Sequence, residues 1–345
     1  MGFQLADVVP WGRSFDEYVA MFALSADDLK TPILGCGDGP ASFNAGLHAR
    51  GGTVCSIDPL YAFGAEEIRS RIDEVVPVVL AQTRQSADAF VWSHIRSIDD
   101  LKEKRLAAME AFLDDYARPE SRPRYRVGAL PVLPFGDGEF ALALCSNFLF
   151  LYSEHLPLQF HVDSVVELCR VAAEARIFPL LELGGAESRH VRPLTEDLRA
   201  RGFDVAVLPV PYEFQRGGNQ MLVVRKPSPV ILHLATDAAW ASALAAGKYT
   251  ADSLATEGFI HCSDPRQVIW VANTRFRHRR DLILLHIAVE KLEAPVRYEN
   301  LEGGSDLFPH VYGPLNLSAV VRATPFQPNA DGGFDEGVPG SPLTA

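Results

Sequence analysis

The spacing of apolar residues changes along the chain, and the changes mark out elements. FDEYVAMFAL (15–24) has helical spacing, and PIL (32–34) reads as a short strand running into a cluster of glycines. ASFNAGLHARG (41–51) predicts a helix closed by glycine, and TVCSID (53–58) predicts a strand. Residues 64–118 are long, charged and periodic, with AEEIRSRIDEVVPVVL and DLKEKRLAAMEAFLDDYA helical, so they read as a helical insert, a lid or dimer surface by one reading and a solvated face by another. FALALCSN (140–147) is a continuous apolar run that fits a buried strand. DSVVELCRVAAEA (163–175) predicts an amphipathic helix feeding a strand RIFPLLEL (176–183), and PLTEDLRARG (193–202) predicts a further helix. FDVAVLPVPYEF and QMLVVRK flank the turn RGGN as a hairpin. This alternation predicts an α/β fold: a Rossmann-like parallel sheet covered on both faces, with one antiparallel strand added by the terminal hairpin.

KPSP (226–229) then interrupts the pattern, giving a linker at 227–229. VILHLA, DAAWASALAAG, GFIHCS, PRQVIWVANTRF, DLILLHIAV, PVRYEN and SAVVRATPF follow, mostly as short strands. They predict a second, small α+β domain over 230–334, and the Gly, Pro and Asp content of 335–345 predicts a disordered tail. No internal repeat is visible.

Composition narrows the partners. A length of 345 residues is comfortable for two domains. The net charge of -12 argues against nucleic acid and against an anionic membrane surface, both of which need a positive field. The run LALCSNFLFLY (142–152) is much shorter than the roughly 20 residues a membrane helix needs. MGFQLADVVPWGR lacks the basic-then-apolar order of a signal peptide. Five scattered cysteines (36, 55, 145, 169 and 262) fit reduced thiols and a cytoplasmic protein. Oligomeric state is left open.

The chemistry-bearing pattern of the first domain is Gly35, Gly37 and Gly39, a GxGxG between strand and helix. Asp58 ends the next strand, 21 residues beyond Gly37, where a carboxylate can accept both hydroxyl hydrogens of a ribose. The plain alternative is a polar strand end before a turn. GCGDG, Asp58, LPFGDGEFALALCSN and the closing hairpin together resemble the class I S-adenosylmethionine-dependent methyltransferases over about residues 1–226. That resemblance implies that Gly35, Cys36, Gly37, Asp38 and Gly39 approach the methionine part of S-adenosylmethionine and that Asp58, with Pro59, holds its ribose. It further implies that Gly128, Ala129 and Leu130 border the adenine, while Ser146 and Asn147 face the reacting methyl. Ile33 and Ala129 depart from the family, which usually has acidic residues there. The NPPY-type motif of nucleic-acid and amide N-methyltransferases is absent, since the aligned stretch is SNFLFLY, and this points to a small-molecule or protein acceptor. Tyr152, Glu154 and His155 lie past the fourth strand, as a general base or as a polar turn.

In the second domain His233, His261 and His310 occupy short apolar settings, with a spacing that matches no metal-ligand motif. His261 and Cys262 would face opposite sides of a strand, so they are not a catalytic dyad. ILHLAT, the helix with Trp240, GKYTADSLATEGFIHCS and LFPHVYGPL are similar to the domain-of-unknown-function 952 family, which in turn resembles the ADP-ribosyltransferase fold and the RNA 2′-phosphotransferases. The likeness implies an NAD cleft in which His233 with Thr236 and His261 with Ser263 contact NAD, completed by His310 or Tyr312; the usual catalytic glutamate has no counterpart in the sequence. RFRHRR (275–280) reads as a phosphate site or as a solvated turn. Three functions follow: methyl transfer in the first domain, NAD- or ADP-ribose-related chemistry in the second, or non-catalytic ligand binding or scaffolding.

Overall fold

The chain divides into two compact units, Met1–Arg201 with Val205–Lys226 and Gly202–Asp204 with Pro227–Ala345. The computed structural model describes residues 9–301 and 307–335, so the expected tail lies, beyond Asp335, outside the described residues.

The first sheet has seven strands: β1 (Ile33–Cys36), β2 (Val54–Ile57), β3 (Tyr125–Arg126), β4 (Phe140–Ser146), β5 (Ala172–Phe178), β6 (Asp204–Pro209) and β7 (Gln220–Arg225), in the order β3-β2-β1-β4-β5-β7-β6. β3 through β5 are parallel, and β7 runs antiparallel to β5 as the hairpin pattern predicts. β1 and β4 are neighbours, with Gly35 opposite Leu144 and Cys36 opposite Cys145. The strand order reverses between them, which is where ligands bind in open α/β sheets.

The helices are α1 (Phe15–Met21), α2 (Phe43–His48), α3 (Ala65–Gln85), α4 (Ile98–Tyr116), α5 (Leu158–Val171) and α6 (Val191–Ala200). α1 starts with a capping box: the Glu17 N–H donates to Ser14 Oγ, and the Ser14 N–H donates back to Glu17 Oε2 at 3.0 Å. Its Tyr18 stacks on Phe43 of α2 at 4.7 Å between ring centroids, over a core of Ile33, Leu142, Leu144 and Val223. Each such buried aromatic or aliphatic side chain contributes roughly 1.5–3 kcal/mol. α3 and α4 bury a separate core of Ile68, Ile72, Leu80, Leu101 and Phe112 against Tyr61 and Tyr125. The insert is thus a packed layer.

Two boundaries move from expectation. α5 begins five residues before Asp163 and stops at Val171, so Ala172–Phe178 is strand. That strand ends at Phe178, before the expected 183, because Pro179 offers no N–H for a ladder.

The second unit is antiparallel throughout. It contains β8 (Val230–Thr236), α7 (Asp237–Ala246), β9 (Lys248–Tyr249), α8 (Asp252–Thr256), β10 (Ile260–His261), α9 (Val268–Arg275), β11 (Leu282–Ala288), β12 (Val296–Glu299), β13 (Phe308–Val311), β14 (Leu315–Asn316) and β15 (Val320–Phe326). The sheets run β10-β13-β12, β15-β11-β8 and β14-β9. Ile231, Ala235, Ile260, Leu285, Ile287 and Val311 form its core. The five cysteines are free thiols, with Cys36, Cys145, Cys169 and Cys262 buried. Among the described residues no helix is long and apolar enough to cross a membrane.

Candidate functional site

The carboxyl ends of β1, β2 and β4 open into a cavity of about 290 Å³. Cys36, Gly37, Asp38, Gly39, Asp58, Pro59, Leu130, Ser146 and Asn147 all line it, together with Gly128 and Ala129. Gly35 does not line it.

The loop after β1 needs its glycines for distinct reasons. Gly37 and Gly39 have φ of 69° and 52°, the left-handed region. A Cβ on Gly37 would also stand 3.2 Å from Phe148. The Gly37 N–H donates to the Ile57 carbonyl, and the Gly39 carbonyl accepts from Tyr61 Oη at 2.8 Å, so the loop is fastened at both ends.

Asp58 fixes the same loop from the side. Its Oδ2 accepts from the Gly39 N–H at 2.9 Å and its Oδ1 from the Leu60 N–H at 2.8 Å. Each oxygen keeps a further lone pair free of these two bonds. Burial raises the carboxyl's pKa, and the two N–H donors work against that rise.

Asp38 lies underneath. It accepts from Tyr18 Oη at 2.8 Å and from Ser56 Oγ at 2.6 Å, and burial pushes its carboxyl up to about 7. Asn147, with φ 51°, turns the chain at the end of β4, and its N–H donates to the Phe178 carbonyl at 2.7 Å. Ile33, where the resembled family has an acid, is fully buried in the core.

A second cavity of about 120 Å³ adjoins the first, and Val9, Trp11, Arg13, Asn147 and Tyr152 line both. Its own walls come from the insert (Val79, Thr83, Phe90, Leu101), from the end of β5 and the chain beyond it (Phe178, Leu183) and from Tyr212, Phe214 and Gln215. Tyr152 therefore reaches the site, whereas Glu154 and His155 are absent from both linings. Trp11 and Arg13 carried no motif that sequence reading could use.

In the second unit His261 and His310 are register partners on β10 and β13, and Nδ1 of His233 lies 2.6 Å from the His261 carbonyl oxygen. A carbonyl only accepts, so Nδ1 carries the proton and Nε2 accepts from Tyr249 Oη at 2.7 Å. Burial lowers His233 to about 4. His233, His261, Ser263 and His310 line one cavity of about 260 Å³, walled by Trp270, Phe276 and Phe308.

Thr236 is a correction: it lies outside this cavity, where its Oγ1 accepts from the Ala239 N–H and caps α7. Its odd spacing from His233 on β8 explains that. Tyr312 is also outside the lining, and its hydroxyl donates to Glu299 Oε2 at 2.6 Å. Glu299, which no sequence motif marked, does line the cavity, 3.5 Å from His310 Nδ1, because β12 pairs with β13. Burial lowers the His310 pKa, as does neighbouring His261, while Glu299 raises it. In RFRHRR, Arg275 lines the cavity and Arg279 pairs with Asp281. Among the described residues no group of three or more His, Cys, Asp or Glu is placed to hold a metal ion.

Residues 234–323 match the family model of a protein of unknown function, DUF952. Over 223 residues the chain is 34% identical to the uncharacterized protein MJ0045 of Methanocaldococcus jannaschii, covering 64% of this chain and 98% of that protein. The chain belongs to the MJ0045 family. Among solved structures it is 33% identical to protein CC0527 of Caulobacter crescentus, over 31% of this chain and 93% of that one, with a TM-score of 0.29. Magnesium protoporphyrin IX methyltransferase of Synechocystis PCC 6803, with bound SAM, is 14% identical over 61% of this chain and 78% of that one, TM-score 0.33. The strand order makes the first unit a Rossmann-like α/β domain, and the DUF952 match falls within the second unit.

Proposed function

We propose that the first unit binds S-adenosylmethionine and methylates a small molecule or a protein. The observation that carries this reading is the fastening of the glycine loop to Asp58 through the Gly39 N–H at 2.9 Å, at the point where the strand order reverses. The cradle fits such a ligand: Gly39 lines the cavity with open space where a Cβ would stand. Asp58 would take the ribose hydroxyls, Gly128 to Leu130 would border the adenine, and Ser146 with Asn147 would face the reacting end. When bound, the cofactor supplies an electrophilic methyl group on a sulfonium. The chain's part is then alignment: the second cavity holds the acceptor in line while Tyr152 and the aromatic walls exclude water. Calorimetric titration of the full chain with S-adenosylhomocysteine tests it. Binding by the wild type that falls at least tenfold in Asp58→Ala supports the reading, and no binding at millimolar ligand sinks it.

A second reading places NAD- or ADP-ribose-related chemistry in the C-terminal unit. It is supported by the convergence of His233, His261, Ser263 and His310, joined by Glu299, on one cavity. Titration with NAD, in the wild type and in His261→Ala, tests it. Silence in the wild type removes NAD from that cavity.

A further inference from the structure

Arg13 is a cation set into the wall that both cavities of the first unit share. Its Nη1 donates to the Trp11 carbonyl at 2.9 Å, and no carboxylate among the described residues is within ion-pair distance of it. The nearby acid, Glu17, is already taken. Its Oε1 accepts from Arg105 at 2.8 Å and from Tyr212 Oη at 2.9 Å, and its Oε2 accepts from Arg105 at 2.6 Å and from Ser14 N at 3.0 Å. Burial of Arg13 and the charge of Arg105 both lower the Arg13 pKa, so the site pays to keep a guanidinium there. A planar guanidinium with unused N–H groups is built to take a carboxylate in two parallel hydrogen bonds.

The cavity beyond Arg13 has a different character. Phe90, Leu101, Phe178, Leu183 and Phe214 wall it, Tyr212 and Gln215 add polar edges, and the lining has no carboxylate or imidazole among the described residues. Such walls suit a flat apolar ring. Asn147 lies at the same junction. If the cofactor reading above holds, as this inference requires, a sulfonium is the second positive centre at that junction. An anion between the two neutralises both.

We propose that the acceptor of this methyltransferase-like unit is a ring-bearing carboxylic acid, its ring in the aromatic cavity and its carboxylate on Arg13. The test uses the full chain saturated with S-adenosylhomocysteine, titrated with benzoate and with its neutral isostere benzamide by ligand-observed NMR. Benzoate is expected to bind at least tenfold tighter than benzamide. Arg13→Ala is expected to abolish that preference, and Arg13→Lys to keep part of it.

Equal binding of the two probes by the wild type, or binding of neither, overturns the proposal without recourse to any variant. So does a result in which Arg13→Ala weakens S-adenosylhomocysteine tenfold, leaves 5′-methylthioadenosine unchanged and spares the benzoate preference, because Arg13 would then serve the amino-acid end of the cofactor. A wild type that binds no S-adenosylhomocysteine sinks the cofactor reading itself, a result separate from the loss of a benzoate preference.

Discussion

Asp38 fills the space that a side chain at Gly35 would need: an ideal Cβ there would stand 1.8 Å from Asp38 Oδ2. The first glycine of the loop is therefore required by the loop's own carboxylate rather than by direct contact with a ligand. Gly35→Ala is expected to cost about 2–4 kcal/mol, in the range of overpacked cores or above it. It should also weaken S-adenosylhomocysteine binding at least tenfold, because the loop must shift. Urea unfolding and calorimetry check both. A Gly35→Ala, Asp38→Ala double variant should lose less than the sum of the singles, as expected for residues in contact.

The raised Asp38 carboxyl gives a pH dependence of definite sign. Its ordinary value is 3.8 and its folded value about 7, so between these the folded chain holds a proton that the unfolded chain has released. Stability from this group then falls as pH rises from about 4 to about 7, by about 1.4 kcal/mol per pH unit at most, and is level above. Asp38→Asn removes the slope. Unfolding free energies of wild type and variant, compared at pH 5 and pH 7, should differ by a gap that changes with pH; a constant gap contradicts the assignment.

Glu17 behaves in the opposite sense. Burial alone would raise it, but Arg105, which is 1% exposed, with the Ser14 N–H and Arg13, holds it down at about 2. Its contribution is present above pH 4.5 and is lost as pH falls toward 2. Arg105→Met leaves the buried carboxylate without its main partner and is expected to cost about 3–5 kcal/mol. Adding Glu17→Gln should recover part of that loss, measured by thermal unfolding.

In the second unit His233 is held neutral between the His261 carbonyl and Tyr249 Oη. With a folded value of about 4 against the ordinary 6.5, its contribution is full above pH 6.5 and is lost as pH falls toward 4. Nitrogen-15 NMR should show the Nδ1-protonated tautomer down to about pH 5. Tyr249→Phe removes the donor to Nε2 and should destabilise this unit by about 1–3 kcal/mol.

The parallel sheet, the hairpin and the glycine loop were legible because each rests on local signals: an apolar run, a turn, a glycine before a helix. The lining role of Asp58 was legible for the same reason, since it ends a short strand at a fixed distance. Arg13 and Trp11 were not, because they sit in the irregular segment before α1, and Trp11 packs on the core of the insert, far along the chain. Glu299 was missed because its meeting with His310 depends on the register of β12 on β13. Thr236 was misplaced by treating it as a companion of His233, when the start of α7 claims its hydroxyl.

The buried thiols have a practical consequence. Cys36, Cys145 and Cys169 are enclosed in the first unit and Cys262 in the second, and burial raises the pKa of each, so none is a ready nucleophile while its surroundings stay closed. Alkylation at those positions becomes a clock for local opening, and peptide mapping of the label would read the breathing of the two units independently within one intact chain.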